Sequence, residues 1–118
     1  MIKLVSDTID KQDTNALIDW LQQDPIPRLT KGELTVQLEK KWAKKVGTKY
    51  SVFVNSGSSS ILLTLAALKE LGRLGNGKII VPSLTWVSDI NSVIMNGFKP
   101  VFVDINLENL SMNIKNVL

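Results

Sequence analysis

Apolar residues recur at every fourth position through Leu34, Leu38, Trp42 and Val46, with Lys and Glu between them, and this stripe predicts an amphipathic helix. Gly47 is placed to end that helix in a left-handed conformation. Trp42, an aromatic at helical spacing among leucines, is expected to pack in a core. Upstream, Leu17, Ile18 and Leu21 predict a brief helix over 14–21. Asp24-Pro25-Ile26-Pro27 then imposes an extended loop, because the residue before each proline is biased away from helix.

After Gly47 the pattern changes. The aromatic and β-branched content of Tyr50 to Val54 predicts a strand, and Leu62, Leu65, Ala66 and Leu68 predict a helix over 58–71. A loop over 72–77 follows. Lys78 to Val81 reads as a buried strand, 85–96 as a helix closed by Gly97, and Val101 to Val103 as a third strand ending at Asp104. Strand, helix, strand, helix, strand is the pattern of an α/β fold with parallel pairing.

Composition narrows the chemistry. With 118 residues, 44% hydrophobic and 21% charged, the chain has the make-up of one globular domain, small for an enzyme that encloses a cofactor. It has no Cys and no His, which removes disulfides, thiolate metal sites, cysteine nucleophiles and the usual proton shuttle, and no metal site is expected. The net charge of +3 includes one dense run, Lys40, Lys41, Lys44 and Lys45. No aromatic platform or recognition motif accompanies it, so a solvated helix face is expected rather than a nucleic-acid surface. The opening apolar run, Met1 to Ser6, is short and is ended by Asp7 and Asp10, and no stretch is long enough to span a bilayer. A cytoplasmic protein without a leader or membrane partner is expected.

Two segments carry candidate chemistry. Asn55-Ser56-Gly57-Ser58-Ser59-Ser60 lies where a strand turns into a helix. Amides at a helix start have no partners inside the helix and sit at the positive end of its dipole, so a Gly and Ser turn there suits a phosphate. A serine-capped helix entered through a glycine turn has the same residues without a ligand. The G-x-G-x-x-G and Gly-Lys-Ser/Thr fingerprints of nucleotide sites are both missing. Pro82-Ser83-Leu84-Thr85-Trp86 follows the next strand. Parallel sheets bind ligands outside the carboxyl ends of their strands, so this loop and the serine turn are placed to share one crevice, with an indole available to stack on a planar cationic ring.

Thr30-Lys31-Gly32, Asn55-Ser56-Gly57-Ser58-Ser59, Val81-Pro82-Ser83-Leu84-Thr85-Trp86 and Pro100-Val101-Phe102-Val103-Asp104 follow in the order and spacing seen in the DegT/DnrJ/EryC1/StrS sugar aminotransferases, and the chain resembles the amino-terminal portion of that family over essentially its whole length. The resemblance implies part of the large domain of a fold-type I transferase dependent on pyridoxal phosphate: three α/β/α layers with a mostly parallel sheet, entry helices and loop over 1–48, and an α/β cofactor-binding segment over 49–118. It assigns the cofactor phosphate to Gly57, Ser58 and Ser59 and ring stacking to Trp86. Thr30 and Gly32 would belong to an entry loop on the substrate side. The family usually has Thr where Ser58 stands and Ala where Ser60 stands. Asp104 is expected to be a turn and cap residue.

In that family the Schiff-base lysine and the carboxylate beside the pyridine nitrogen come well past position 118. The resemblance therefore implies no catalytic residue here, weak cofactor binding by the 118 residues and no activity from them alone. It also implies that Tyr50 to Val54 lies at the opposite edge of the family's sheet from the next two strands, so it would lack its neighbour and leave apolar edges open. A homo-oligomer or a complementing chain is the expected remedy. The implied function is contribution to a nucleotide-sugar aminotransferase, which uses an amino donor and a nucleotide-linked keto-sugar in polysaccharide or lipopolysaccharide precursor synthesis. Two alternatives stay open: a non-catalytic phosphate-binding or assembly module derived from the fold, and part of a deoxysugar dehydratase.

Overall fold

The computed structural model describes residues 6–75 and 77–117. The opening apolar run lies outside these except for Ser6. The residues fall into two compact units, one ending at Phe53 and one starting at Val54.

The first unit holds two helices, α1 (Lys11–Leu21) and α2 (Glu33–Val46). α1 begins three residues earlier than its apolar spacing indicates. Asp10 accepts the amides of Gln12 and Asp13 while the Asp13 carboxylate accepts the Asp10 amide, so a reciprocal cap satisfies donors that a helix start leaves open. α2 ends as expected: Gly47 has φ 76°, and the Thr48 amide returns to the Ala43 carbonyl at 3.0 Å.

The stripe on α2 is not a core. Trp42 is 52% exposed, and Leu34, Leu38 and Val46 are exposed to a similar degree, while Ala43 is the buried residue of the helix. The helical period was right, but among the described residues no apolar layer closes over the stripe. Lys45 instead lies 5.6 Å from the Trp42 ring centroid.

Tyr50 to Val54 is not a strand in the structure, because among the described residues no second strand pairs with it. Two of its polar groups go to α2, while the Tyr50 carbonyl accepts the Thr48 hydroxyl at 3.0 Å. Ser51 Oγ donates to the Glu39 carbonyl at 2.6 Å, and the Phe53 amide donates to Glu39 Oε1 at 2.9 Å. The side chains of Tyr50, Val52 and Phe53 remain exposed.

The second unit contains α3 (Gly57–Glu70), β1 (Lys78–Pro82), α4 (Val87–Met95), β2 (Lys99–Val103) and a 3-10 turn (Ile114–Asn116). β1 and β2 pair in parallel, with Lys78 opposite Lys99, Ile80 opposite Val101 and Pro82 opposite Val103. A parallel pair needs a crossover, and α4 supplies it while packing on both strands. The small core sits there: Val81, Val93 and Val103 are buried, with Val93 only 2% exposed. α3 packs on α4, joined by Asn96 Nδ2 to the Leu62 carbonyl at 3.2 Å and Lys69 Nζ to the Asn96 carbonyl at 2.7 Å. The fold is α/β with parallel pairing, as the alternation of elements indicates. The described residues supply a two-stranded sheet of it. After β2, a bridge between Ile105 and Met112 turns the chain back, and the Asn113 amide reaches the Asp104 carbonyl at 2.9 Å.

Candidate functional site

The serine turn begins α3. Ser56 is extended, with φ −161° and ψ 161°, and its hydroxyl oxygen accepts the Ser59 amide at 3.1 Å. The Ser56 hydroxyl also lies 3.1 Å from Ser59 Oγ, and the Ser60 amide returns to the Ser56 carbonyl at 3.0 Å. Of the amides that open the helix, those of Gly57 and Ser58 are left without an acceptor among the described residues. A Cβ built on Gly57 would meet nothing within 4 Å, so the backbone is open to an approaching group. The capped helix and the anion-binding turn are therefore compatible: Ser56 does the capping, and the next two residues keep their donors.

The second loop is held at both ends. At the sheet, the Ser83 amide donates to the Val103 carbonyl at 2.8 Å, and Ser83 Oγ lies 3.4 Å from Asp104 Oδ1. At the helix, Trp86 is the N-cap of α4, with φ −68° and ψ 141°, and its side chain is 72% exposed. With that exposure the indole is not part of the core formed by the described residues. Asp104 serves the turn after β2, where its carboxylate also accepts the Ile105 amide at 2.8 Å.

Gly57, Ser58 and Ser59 thus form one turn, and Trp86 opens the helix that packs on the helix they begin. Thr30 and Gly32 belong to the other unit. Thr30 is exposed in the loop between α1 and α2, and Gly32 is the N-cap of α2. Gly32 has a local reason to be glycine: a Cβ there would lie 2.9 Å from the Arg28 carbonyl oxygen. Gly32, with Trp20, Arg28, Lys31 and Glu33 among others, lines an open cavity of about 1030 Å³. Thr30 is not part of that lining.

The model of the DegT/DnrJ/EryC1/StrS aminotransferase family matches residues 7–118. The chain belongs to this family. It is 33% identical over 114 residues to the UDP-4-amino-4-deoxy-L-arabinose–oxoglutarate aminotransferase of Shewanella sediminis, a match that covers 96% of this chain and 28% of that protein. It is 38% identical over 91 residues to the GDP-4-keto-6-deoxy-D-mannose 3-dehydratase of Escherichia coli O55:H7, covering 75% of this chain and 24% of that one. Among solved structures, the E. coli GDP-4-keto-6-deoxy-D-mannose-3-dehydratase with bound hydrated PLP superposes with a TM-score of 0.78 at 34% identity, over 95% of this chain and 29% of that one. The chain thus spans between about a quarter and three tenths of the length of these relatives. The α/β architecture with parallel pairing is that of the fold-type I, pyridoxal-phosphate-dependent enzymes to which this DegT/DnrJ/EryC1/StrS chain is similar.

Asp89, which accepts the Thr85 hydroxyl at the start of α4, stands beside the candidate site and is not among the residues expected there from the sequence. The Asp89 contact had a signal, since an acid in the first turn after a Thr is a common capping arrangement. The return of 105–113 to the end of β2 had none, because its bridge and amide bond are tertiary.

Proposed function

We propose that this chain holds pyridoxal 5'-phosphate in a nucleotide-sugar aminotransferase, with Gly57, Ser58 and Ser59 at the phosphate and Trp86 against the ring. The observation that carries the reading is the pair of amides at Gly57 and Ser58 that no acceptor claims among the described residues, with open space at the Gly57 Cα, at the start of a helix packed against the one that Trp86 opens. A dianionic phosphate is favoured there by amide hydrogen bonds and by the helix dipole together. The Ser58 and Ser59 hydroxyls add donors. An exposed indole is free to meet a planar heterocycle, a contact worth on the order of 1 kcal/mol or more when water is excluded.

When bound, the cofactor supplies an electron sink for chemistry at a carbon bearing nitrogen. The residues of this chain bind and orient it. Lys69 is not proposed as its covalent partner, since it sits at the far end of α3 from Gly57, about 18 Å away at 1.5 Å per residue. Lys78 and Lys99 open β1 and β2, whereas the Trp86 loop follows the other end of the sheet. The catalytic lysine and the acid beside the ring nitrogen are proposed to lie outside these residues, and the substrate is a nucleotide-linked keto-deoxysugar with an amino donor. The products would serve polysaccharide or lipopolysaccharide precursors. Thr30 and Gly32 are proposed on the substrate side. A homo-oligomer or complementing chain completes the site.

A second reading, dehydration of a deoxysugar on the same cofactor, is favoured by the similarity to the E. coli GDP-4-keto-6-deoxy-D-mannose 3-dehydratase in both sequence and structure. Both readings use the same turn and the same indole.

The turn is tested with 4-deoxypyridoxine 5'-phosphate, which keeps the phosphate and the ring but has no aldehyde to react with surface lysines. Gly57→Val places a branched side chain in the open space and is expected to weaken the probe by on the order of tenfold, with helix content retained. Unchanged affinity would leave the turn as a helix cap and nothing more.

A further inference from the structure

We propose that Thr85 and Asp89 act as a positioning pair that fixes the direction in which Trp86 leaves the backbone. The inference rests on the stacking role given to Trp86 above. Thr85 Oγ1 donates to Asp89 Oδ2, and both residues are half-buried, although Trp86, which follows Thr85 in the chain, is largely exposed. The Asp89 amide in turn donates to the Trp86 carbonyl at 3.0 Å. Asp89 therefore grips the chain twice, by its carboxylate on the residue before Trp86 and by its amide on Trp86 itself. The peptide that joins Thr85 to Trp86 is held between these two contacts.

The other end of the loop is held by Ser83, whose amide and hydroxyl reach the end of β2. Leu84 is the one residue of Ser83 to Trp86 without such a tie among the described residues, and it is exposed. An exposed indole gets little orientation from packing. Its Cα–Cβ direction follows from the backbone angles of Trp86, and these are set by Asp89. Preorganisation of this kind raises affinity by removing the ordering cost that a ligand would otherwise meet. An acid in the first turn of α4 also suits the helix dipole, so the same residue serves the helix and the loop.

The pair is tested in the assembly that completes the site, this chain with its oligomeric or complementing partner, by two readouts. The first needs no ligand: the order of the Trp86 and Val87 amides by nitrogen relaxation. Thr85→Val, which keeps the shape but removes the hydroxyl, and Asp89→Ala, which removes the acceptor, are expected to lower that order, and Thr85→Ser is expected to keep it. The second is the affinity for 4-deoxypyridoxine 5'-phosphate in a double-mutant cycle. Thr85→Val is expected to weaken the probe about fivefold when Trp86 is present and by less than about twofold in a Trp86→Ala background, because its effect passes through the indole. Unchanged amide order in both Thr85→Val and Asp89→Ala would overturn the proposal. Equal losses of affinity with and without Trp86 would also overturn it, by making the pair a support for α4 alone. If Trp86→Ala itself leaves the probe affinity untouched, the stacking role fails separately, and the amide order still decides whether the pair fixes the loop.

Discussion

Glu39 Oε1 accepts the Phe53 amide at 2.9 Å across fourteen positions of sequence, and this bond marks where a segment with strand composition becomes an arm laid on a helix. The Glu39 carbonyl also accepts Ser51 Oγ, so two hydrogen bonds from the arm end on one residue. Glu39→Ala removes the acceptor for Phe53 while leaving the backbone contact to Ser51. We expect a loss of about 1 kcal/mol, in the range of a hydrogen bond to a charged group in a partly exposed place. Faster amide exchange at Phe53, with α2 unchanged, is the measurement. Equal exchange in both proteins would show that the arm is held by other contacts.

That segment also shows where legibility in the sequence ended. Local signals carried the elements: the four-residue stripe gave α2, Gly47 gave its end, and the apolar runs at Lys78 and Val101 gave two strands that pair in parallel. Partners do not lie in local signals. Tyr50 to Val54 has the residues of a strand, but a strand exists only with a second one beside it, and Trp42 has the spacing of a core residue without a layer to cover it among the described residues. At the candidate site, the glycine and serine turn was legible because capping chemistry is local. The Ser83 to Asp104 contact and the return of Asn113 to Asp104 join distant positions, and nothing in their spacing announces them.

Gly32 is the second position where an expected role acquires a different cause. The family resemblance implies an entry loop on the substrate side, whereas the close neighbour here is the Arg28 carbonyl at 2.9 Å from a Cβ. Gly32→Ala should therefore cost stability in the absence of any ligand, about 1–3 kcal/mol, as overpacking against backbone does. Denaturant midpoints of the two proteins decide it. A cost confined to ligand-bound protein would return Gly32 to the substrate side alone.

Trp86 separates stacking from packing. Because the indole is 72% exposed, Trp86→Ala should change the stability of the cofactor-free chain by no more than about 0.5 kcal/mol. Its affinity for the phosphorylated pyridine should nevertheless fall by about five- to tenfold, with Trp86→Phe between the two, as a lost stacking contact of about 1 kcal/mol or more implies. Thermal melts and probe titrations provide the two numbers. A stability loss of several kcal/mol without ligand would place the indole in a core and end the stacking assignment.

Covalent capture tests where the lysine is. Lys69 is engaged with the Asn96 carbonyl and lies 5.6 Å from the Phe98 ring, and Lys78 and Lys99 stand at the opposite end of the sheet from the Trp86 loop. Borohydride treatment of the chain with pyridoxal phosphate should therefore give only scattered, substoichiometric labels on intact mass. Lys115 is the informative exception to watch, because Asn113 beside it returns to the end of β2. One stoichiometric adduct, at Lys115 or elsewhere, would show that the essential lysine lies within these residues.

Assembly follows from how little of the chain is covered. Among the described residues Ala43, Val81, Ser92, Val93 and Val103 are buried, while Leu34, Leu38, Trp42 and Val46 on α2 and Tyr50, Val52 and Phe53 on the arm stay exposed. A single copy is therefore expected to be marginal, and an exposed stripe of leucines with an aromatic is the kind of surface that another protein surface covers. Light scattering and amide exchange on the 118-residue chain should find an oligomer, or poor protection that a complementing chain restores. A monodisperse monomer with strongly protected amides from Tyr50 to Val54 would show that the chain stands alone as a domain, and would shift the functional reading to a non-catalytic module that keeps the phosphate turn.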